Sequence, residues 1–207
     1  MKTYKGKPIY KAALTEDQNE TGMYFISLVE DPAVECDFLA FEKVQNLTFK
    51  VENEEKRIVT GLVMACDRPI LRQDFNGLYY ILYDKETIIA MAERFLAMGL
   101  ANNLDTQHNF EVEKDVFLRE MYIKDSERGI SPKGFEDVEE GSLFATYHIL
   151  NDEVWEKVKS GEFKGFSLAG IFAEEEFNAV DEDMTDEEFD EVMDLVHQIE
   201  KLMKKGD

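Results

Sequence analysis

A serine and a histidine are the residues of this chain best suited to chemistry. His108 lies in Leu104-Asp105-Thr106-Gln107-His108-Asn109, and Ser167 lies in Phe163-Lys164-Gly165-Phe166-Ser167-Leu168-Ala169-Gly170. Both stretches read as short polar punctuation beside β-type runs. A serine hydroxyl becomes a useful nucleophile when a neighbouring imidazole takes its proton. Such a pair is recognised by geometry and role, not by separation along the chain. Ser167 is flanked by Gly165 and Gly170, whose missing Cβ lets backbone approach a substrate closely. For a third partner, period-2 counting places Glu120 on one strand face with Val116, Leu118 and Tyr122. A carboxylate on an apolar face requires a partner, and imidazole is a suitable one. Asp105 and Glu111 lie close to His108 in sequence and are rival acids. His148, on a strand face with Phe144 and Thr146, is a further rival, although a half-buried strand histidine is the simpler account of it. The third histidine, His197, falls in an acidic helix and reads as a surface or interface residue.

Other chemistries find less support. A metal site built from His108, His148 and a carboxylate has no His-x-x-x-His or Cys-x-x-Cys spacing behind it. No Gly-rich phosphate loop is present either. The expectation is a reaction that needs no cofactor and no metal.

The elements that must position these residues are short. Met23–Val29, Arg57–Ala65, Gly77–Tyr83, Ser142–Leu150 and Phe166–Phe172 read as strands rich in apolar and β-branched residues. Phe38–Phe41 and Leu47–Val51 are shorter extended runs. Val112 to Tyr122 suggests one or two strands. Asp84 caps a helix over Thr87–Met98, with Ile88, Met91, Ala92, Phe95 and Leu96 on one face and Gly99 placed to end it. Asn151 or Asp152 caps a second helix, closed by Gly161. Residues 1–20 are polar and read as a poorly ordered N-terminal segment. Strands and helices without a strict βαβ rhythm predict an α+β chain, mainly an antiparallel β-barrel or sandwich flanked by helices.

Composition narrows the partners. Of 207 residues, 45 are acidic and 23 basic, for a formal net charge of −22. Such a surface repels nucleic acid and anionic membrane, so proteins or peptides are the expected partners. No run reaches the roughly 18 apolar residues of a membrane span, and the basic N-terminus leads into no signal-type apolar region. Cys36 and Cys66 are too few and too far apart for a disulfide framework, which points to a reducing cytoplasm. After Glu176 the chain changes character. Residues 177–207 read as an acidic linker and an amphipathic C-terminal helix. Thr185 and Glu188 form a capping box, and Phe189, Val192, Met193, Val196, Ile199 and Met203 make one apolar stripe.

Several pieces together resemble the phage prohead proteases, the capsid-maturation serine peptidases, in particular their XkdF-like branch. The pieces are Ile26-Ser27-Leu28-Val29-Glu30-Asp31-Pro32-Ala33, Val59-Thr60-Gly61-Leu62-Val63-Met64, Tyr79–Ile88, Gln107-His108-Asn109, Trp155–Glu162 and Gly165–Gly170, in that order. The resemblance covers about Tyr24 to Glu176, within a protease-like domain over residues 21–176. It implies a fold like the herpesvirus maturation proteases, a β-barrel wrapped by helices. It implies a Ser–His endopeptidase that cleaves scaffold and capsid-protein segments inside the assembling prohead, in the host cytoplasm. His108 matches the family histidine and Ser167 the family serine. Glu120 stands where an acid is expected, while the second histidine of the herpesvirus relatives keeps His148 in play. The alternative is a non-catalytic head-assembly or scaffold-binding protein that retains the protease fold. Oligomeric state stays open, with a homodimer suggested by the resemblance and the C-terminal stripe as a surface for it.

Overall fold

Buried apolar strands organise the chain into three sheets. A computed structural model describes residues 3–17, 20–32, 50–53, 56–74 and 77–176. The first sheet runs β1 (Thr3–Tyr4), β2 (Lys7–Ala13), β7 (Gly77–Leu82), β6 (Ile70–Asp74), with β12 (Ala173–Glu176) also paired to β2. The second runs β4 (Lys50–Asn53), β5 (Ile58–Met64), β10 (Leu143–Ile149), β9 (Val116–Ile123). The third is β11 (Gly165–Ile171), β3 (Gly22–Val29), β8 (Leu104–Thr106). Every residue of β5 is buried, as its run of apolar and β-branched side chains requires.

Two helices complete an α+β fold. In α1 (Lys85–Ala97), the Asp84 side chain accepts the Thr87 amide, and Ile88, Met91, Ala92 and Phe95 are buried at helical spacing. Gly99, at φ 74°, follows the helix end in the left-handed conformation. In α2 (Asp152–Ser160), Asn151 caps the amides of Glu153 and Val154, and Gly161 closes the helix at φ 76°. A shared core joins Ile26 and Leu28, Val59 and Val63, Tyr147 and Ile149, Phe95 and Trp155.

Two expectations are corrected and two lie outside the described residues. Among the described residues the sheets do not close into a barrel. Three separate sheets stand instead, and within two of them the parallel pairs β2·β7 and β3·β8 depart from the expected antiparallel pattern. The N-terminal segment is not a loose tail. Its polar look hides a strand in which Ile9 and Ala12 turn inward, while the ladders to β7 and β12 satisfy the backbone. Lys11 of that strand forms an ion pair with Asp84. The run Phe38–Phe41 and the amphipathic helix placed beyond residue 176 lie outside the described residues.

Candidate active site

The third sheet carries the candidate chemistry. Ser27 of β3 pairs with Ser167 of β11 on one side and with Asp105 of β8 on the other. Directly opposed residues share a sheet face. Hydroxyl, hydroxyl and carboxylate therefore form one row across three strands. The other face of β3, with Ile26 and Leu28, goes into the core. Parity in β3 is the cause: alternate residues point to opposite faces, and Ser27 falls between two core positions.

His108 lies over that row. After β8 the chain turns sharply, with Gln107, His108 and Phe110 all at positive φ (54°, 56° and 60°). Left-handed backbone is costly for such residues, and here the turn is held from several sides. The Gln107 amide donates to the Leu28 carbonyl at 2.9 Å, and the Glu113 amide donates to the Leu104 carbonyl at 2.8 Å. The Phe110 amide donates to Asp105 Oδ2 at 2.7 Å. The result brings His108 Nδ1 to 2.8 Å from Ser27 Oγ. Ser27 and Asp105 are fully buried, Ser167 is 6% exposed, and the imidazole is half-buried. Asp105 Oδ1 is buried without a hydrogen-bond partner. An orphan acceptor of this kind costs about 1–3 kcal/mol.

The candidate residues fare differently. His108, Ser167 and the rival acid Asp105 come together around Ser27. No hydrogen bond joins His108 to Ser167 in this structure. The imidazole Nδ1 is engaged by Ser27, and Ser167 lies one strand away, with about 5 Å expected between opposed Cβ atoms. Glu120 goes elsewhere. The β9·β10 register pairs Glu120 with Thr146 but Leu118 with Tyr147, so a bulge at Arg119 breaks the alternation. Val116 and Leu118 stay on the core face, while Glu120 turns to the exposed face and meets Arg119 at 3.4 Å. Period-2 counting fails across such a bulge. Glu111 is exposed. His148 is half-buried on β10, opposite Ile58 and Phe117, in the second sheet. Among the described residues no cluster of His, Cys, Asp and Glu has metal-binding geometry.

Gly170 has a structural task different from the one expected. A Cβ there would lie 2.3 Å from the Gly22 carbonyl oxygen and 2.7 Å from Phe172. The close approach is to the chain's own β3, at the bulge between Ala169 and Gly170. Sequence reading passed over Ser27 as a site residue. Its signal was present: a small hydroxyl side chain between the apolar Ile26 and Leu28 of Met23–Val29 needs a buried partner.

Sheet, turn and row define a class: a β-rich α+β protein whose third sheet holds a buried serine hydrogen-bonded to a histidine. A family described as "Putative phage serine protease XkdF" matches residues 43–176, well over half of the chain, and the chain belongs to that family. His108, Asp105 and Ser167 fall inside the matched span, and Ser27 lies ahead of it. The chain is also similar to the phage-like element PBSX protein XkdF of Bacillus subtilis (strain 168), at 32% identity over 152 residues. That match covers 73% of this chain and 48% of the relative, so the chain spans about half of the relative's length. No solved structure matches.

Proposed function

We propose that the protein is a serine endopeptidase acting on scaffold and capsid proteins in assembling phage heads. The observation that carries this reading is the row Ser167–Ser27–Asp105 beneath His108. Ser167 is the nucleophile, because it is the row's one hydroxyl with solvent access. His108 is the general base. With Nδ1–H donated to Ser27 Oγ, the Nε2 lone pair is free to take the Ser167 proton as the hydroxyl attacks a peptide carbonyl. The same ring then gives that proton to the leaving amine. Ser27 holds the ring in plane through the 2.8 Å contact to Nδ1, and its hydroxyl accepts from Nδ1–H in the tautomer this role requires. Asp105 places a buried carboxyl on the same row, next to Ser27. Catalytic hydrogen bonds are often long before substrate arrives, and closure of His108 onto Ser167 belongs to the substrate complex. Backbone amides near Leu168 and Ala169 are the candidate oxyanion donors.

A second reading is favoured by one observation, the absence of a Ser167–His108 hydrogen bond. In it the chain is a head-assembly module that keeps the fold without the reaction. Co-expression with capsid and scaffold proteins, read by intact mass, separates the two. Cleavage by the wild type and none by Ser167→Ala or His108→Ala supports the peptidase. Equal cleavage in all three overturns it. No cleavage, with retention of the scaffold on the purified chain, favours the assembly module.

A further inference from the structure

A cavity of about 580 Å³ is lined by chain neighbours of the row. Its lining begins one residue past Ser167, at Leu168, and continues through Ala169 to Phe172. Phe25, also in the lining, lies on the Ser27 face of β3 and opposite Ala169. Phe110, two residues past His108, forms a wall and packs edge-on against Phe25 at 5.8 Å between ring centroids. Tyr79 and Tyr83 close the far side from the first sheet, where Tyr83 packs edge-on against Phe172 at 5.6 Å. The lining is predominantly apolar and aromatic, with Arg72 and Glu174 contributing one charge of each sign.

Two residues on this cavity are unusual for a water-exposed surface. Phe110 is 63% exposed and Ile171 is 60% exposed. Large apolar groups left open around a cavity of this size mark a place that a ligand covers. Ser167, His108 and Ser27 do not line the cavity themselves; their neighbours do, with Ala169 and Phe25 paired one step along the same strand face and Phe110 two residues past His108.

Resting on the peptidase reading, we infer that this cavity is the side-chain subsite that selects the substrate, and that its occupant is a large apolar residue, Leu, Met or Phe, of an extended polypeptide. The formal net charge of −22 repels acidic segments. The flanks of the selected residue are therefore neutral or basic. The residue lies within about three positions of the cut, because an extended chain rises about 3.3 Å per residue and the lining starts beside the nucleophile.

The test uses the full chain and a library of denatured proteome-derived peptides, with new termini read by mass spectrometry and Ser167→Ala as background. The expected result is a preference of at least about tenfold for Leu, Met or Phe over Ala at one fixed position, since each added methylene in an apolar pocket is worth about tenfold or more. Ala169→Trp, which fills the cavity, should move that position to small residues. Phe110→Ala, at an exposed position with little risk to folding, should weaken the preference and guards against a misfolded tryptophan variant. Cleavage without an apolar preference, or an unchanged preference in both variants, overturns the subsite and leaves the peptidase reading standing. Absence of both cleavage and serine-directed labelling in the wild type overturns the peptidase reading and the subsite with it.

Discussion

Ser27→Ala is the substitution that most sharply tests the arrangement. The hydroxyl it removes makes one hydrogen bond of 2.8 Å, to His108 Nδ1, from a fully buried position. A neutral hydrogen bond of this kind contributes about 1 kcal/mol to stability. The half-buried ring can take a water in its place, so melting should fall by about 2–4 °C. The kinetic effect should be larger. Without Ser27 the ring loses the contact that holds its plane. A loss of about 10- to 100-fold in kcat is expected, with KM little changed, equivalent to about 1.4–2.7 kcal/mol of transition-state stabilisation. Ser27→Thr keeps the hydroxyl and should restore much of the rate. Time courses of scaffold or capsid cleavage, with a thermal melt of each variant, measure both quantities. Full activity in Ser27→Ala would show that the 2.8 Å contact only holds the turn together. Peptide mapping of a fluorophosphonate adduct adds a second check: label on Ser27 instead of Ser167 would mean that the two hydroxyls have been given each other's roles.

Other consequences follow from the packing around the site. Burial, then the charge and hydrogen bond of Asp67, push the Cys66 thiol far above its ordinary range, so iodoacetamide should leave Cys66 unlabelled in the native protein and label it only after denaturation. Asp84→Ala removes the α1 cap and the partner of Lys11 and should cost about 1–2 kcal/mol at pH 7 in urea melts. Burial raises the Asp84 pKa, but hydrogen bonds from Lys11 and Thr87 outweigh it and leave the carboxyl below its ordinary value. Its contribution therefore stands above the unfolded pKa of about 3.9 and fades as pH falls through the lower folded value, so the gap between wild type and variant should close in acid. Lys124, 2% exposed, donates to the carbonyls of Phe135, Glu136 and Val138. Lys124→Met strands those acceptors and should cost about 2–4 kcal/mol, with early proteolysis between residues 130 and 141; an unchanged melt would show that the loop does not depend on that ammonium.

The central strands and both helices were legible because local chemistry and tertiary packing agree on them. Runs such as Ile58–Met64 offer few alternatives to a buried strand, and Asp84 with Gly99, or Asn151 with Gly161, bracket helices by side-chain and backbone chemistry that works within a few residues. The elements that were missed depend on partners far away in sequence. β2 carries little apolar signal, and its place is set by ladders to β7 and β12, about 70 and 160 residues further on. Sheet closure is also a property of pairing, and alternation within a strand does not say whether its neighbour runs parallel or antiparallel. That is why a barrel was expected where separate sheets stand.

The site divides along the same line. His108 and Ser167 were legible as residue types in suitable contexts, and Asp105 was in view as a rival acid. Glu120 was lost to a single inserted residue, since one bulge at Arg119 sends every position beyond it to the opposite face. Ser27 was hidden for a different reason: its partner is 81 residues away, and only the register of β3 against both β8 and β11 brings it between Asp105 and Ser167. A fully buried hydroxyl at the middle of that row makes the histidine's orientation depend on the pairing of all three strands. Slippage of β11 by one residue would carry Ser167 into the core and Phe166 into the row. The bulge at Gly170, where a Cβ would meet the Gly22 carbonyl oxygen at 2.3 Å, pins that register at the far end of the strand. Gly170 therefore acts on the site at a distance, by fixing which side chain of β11 faces His108.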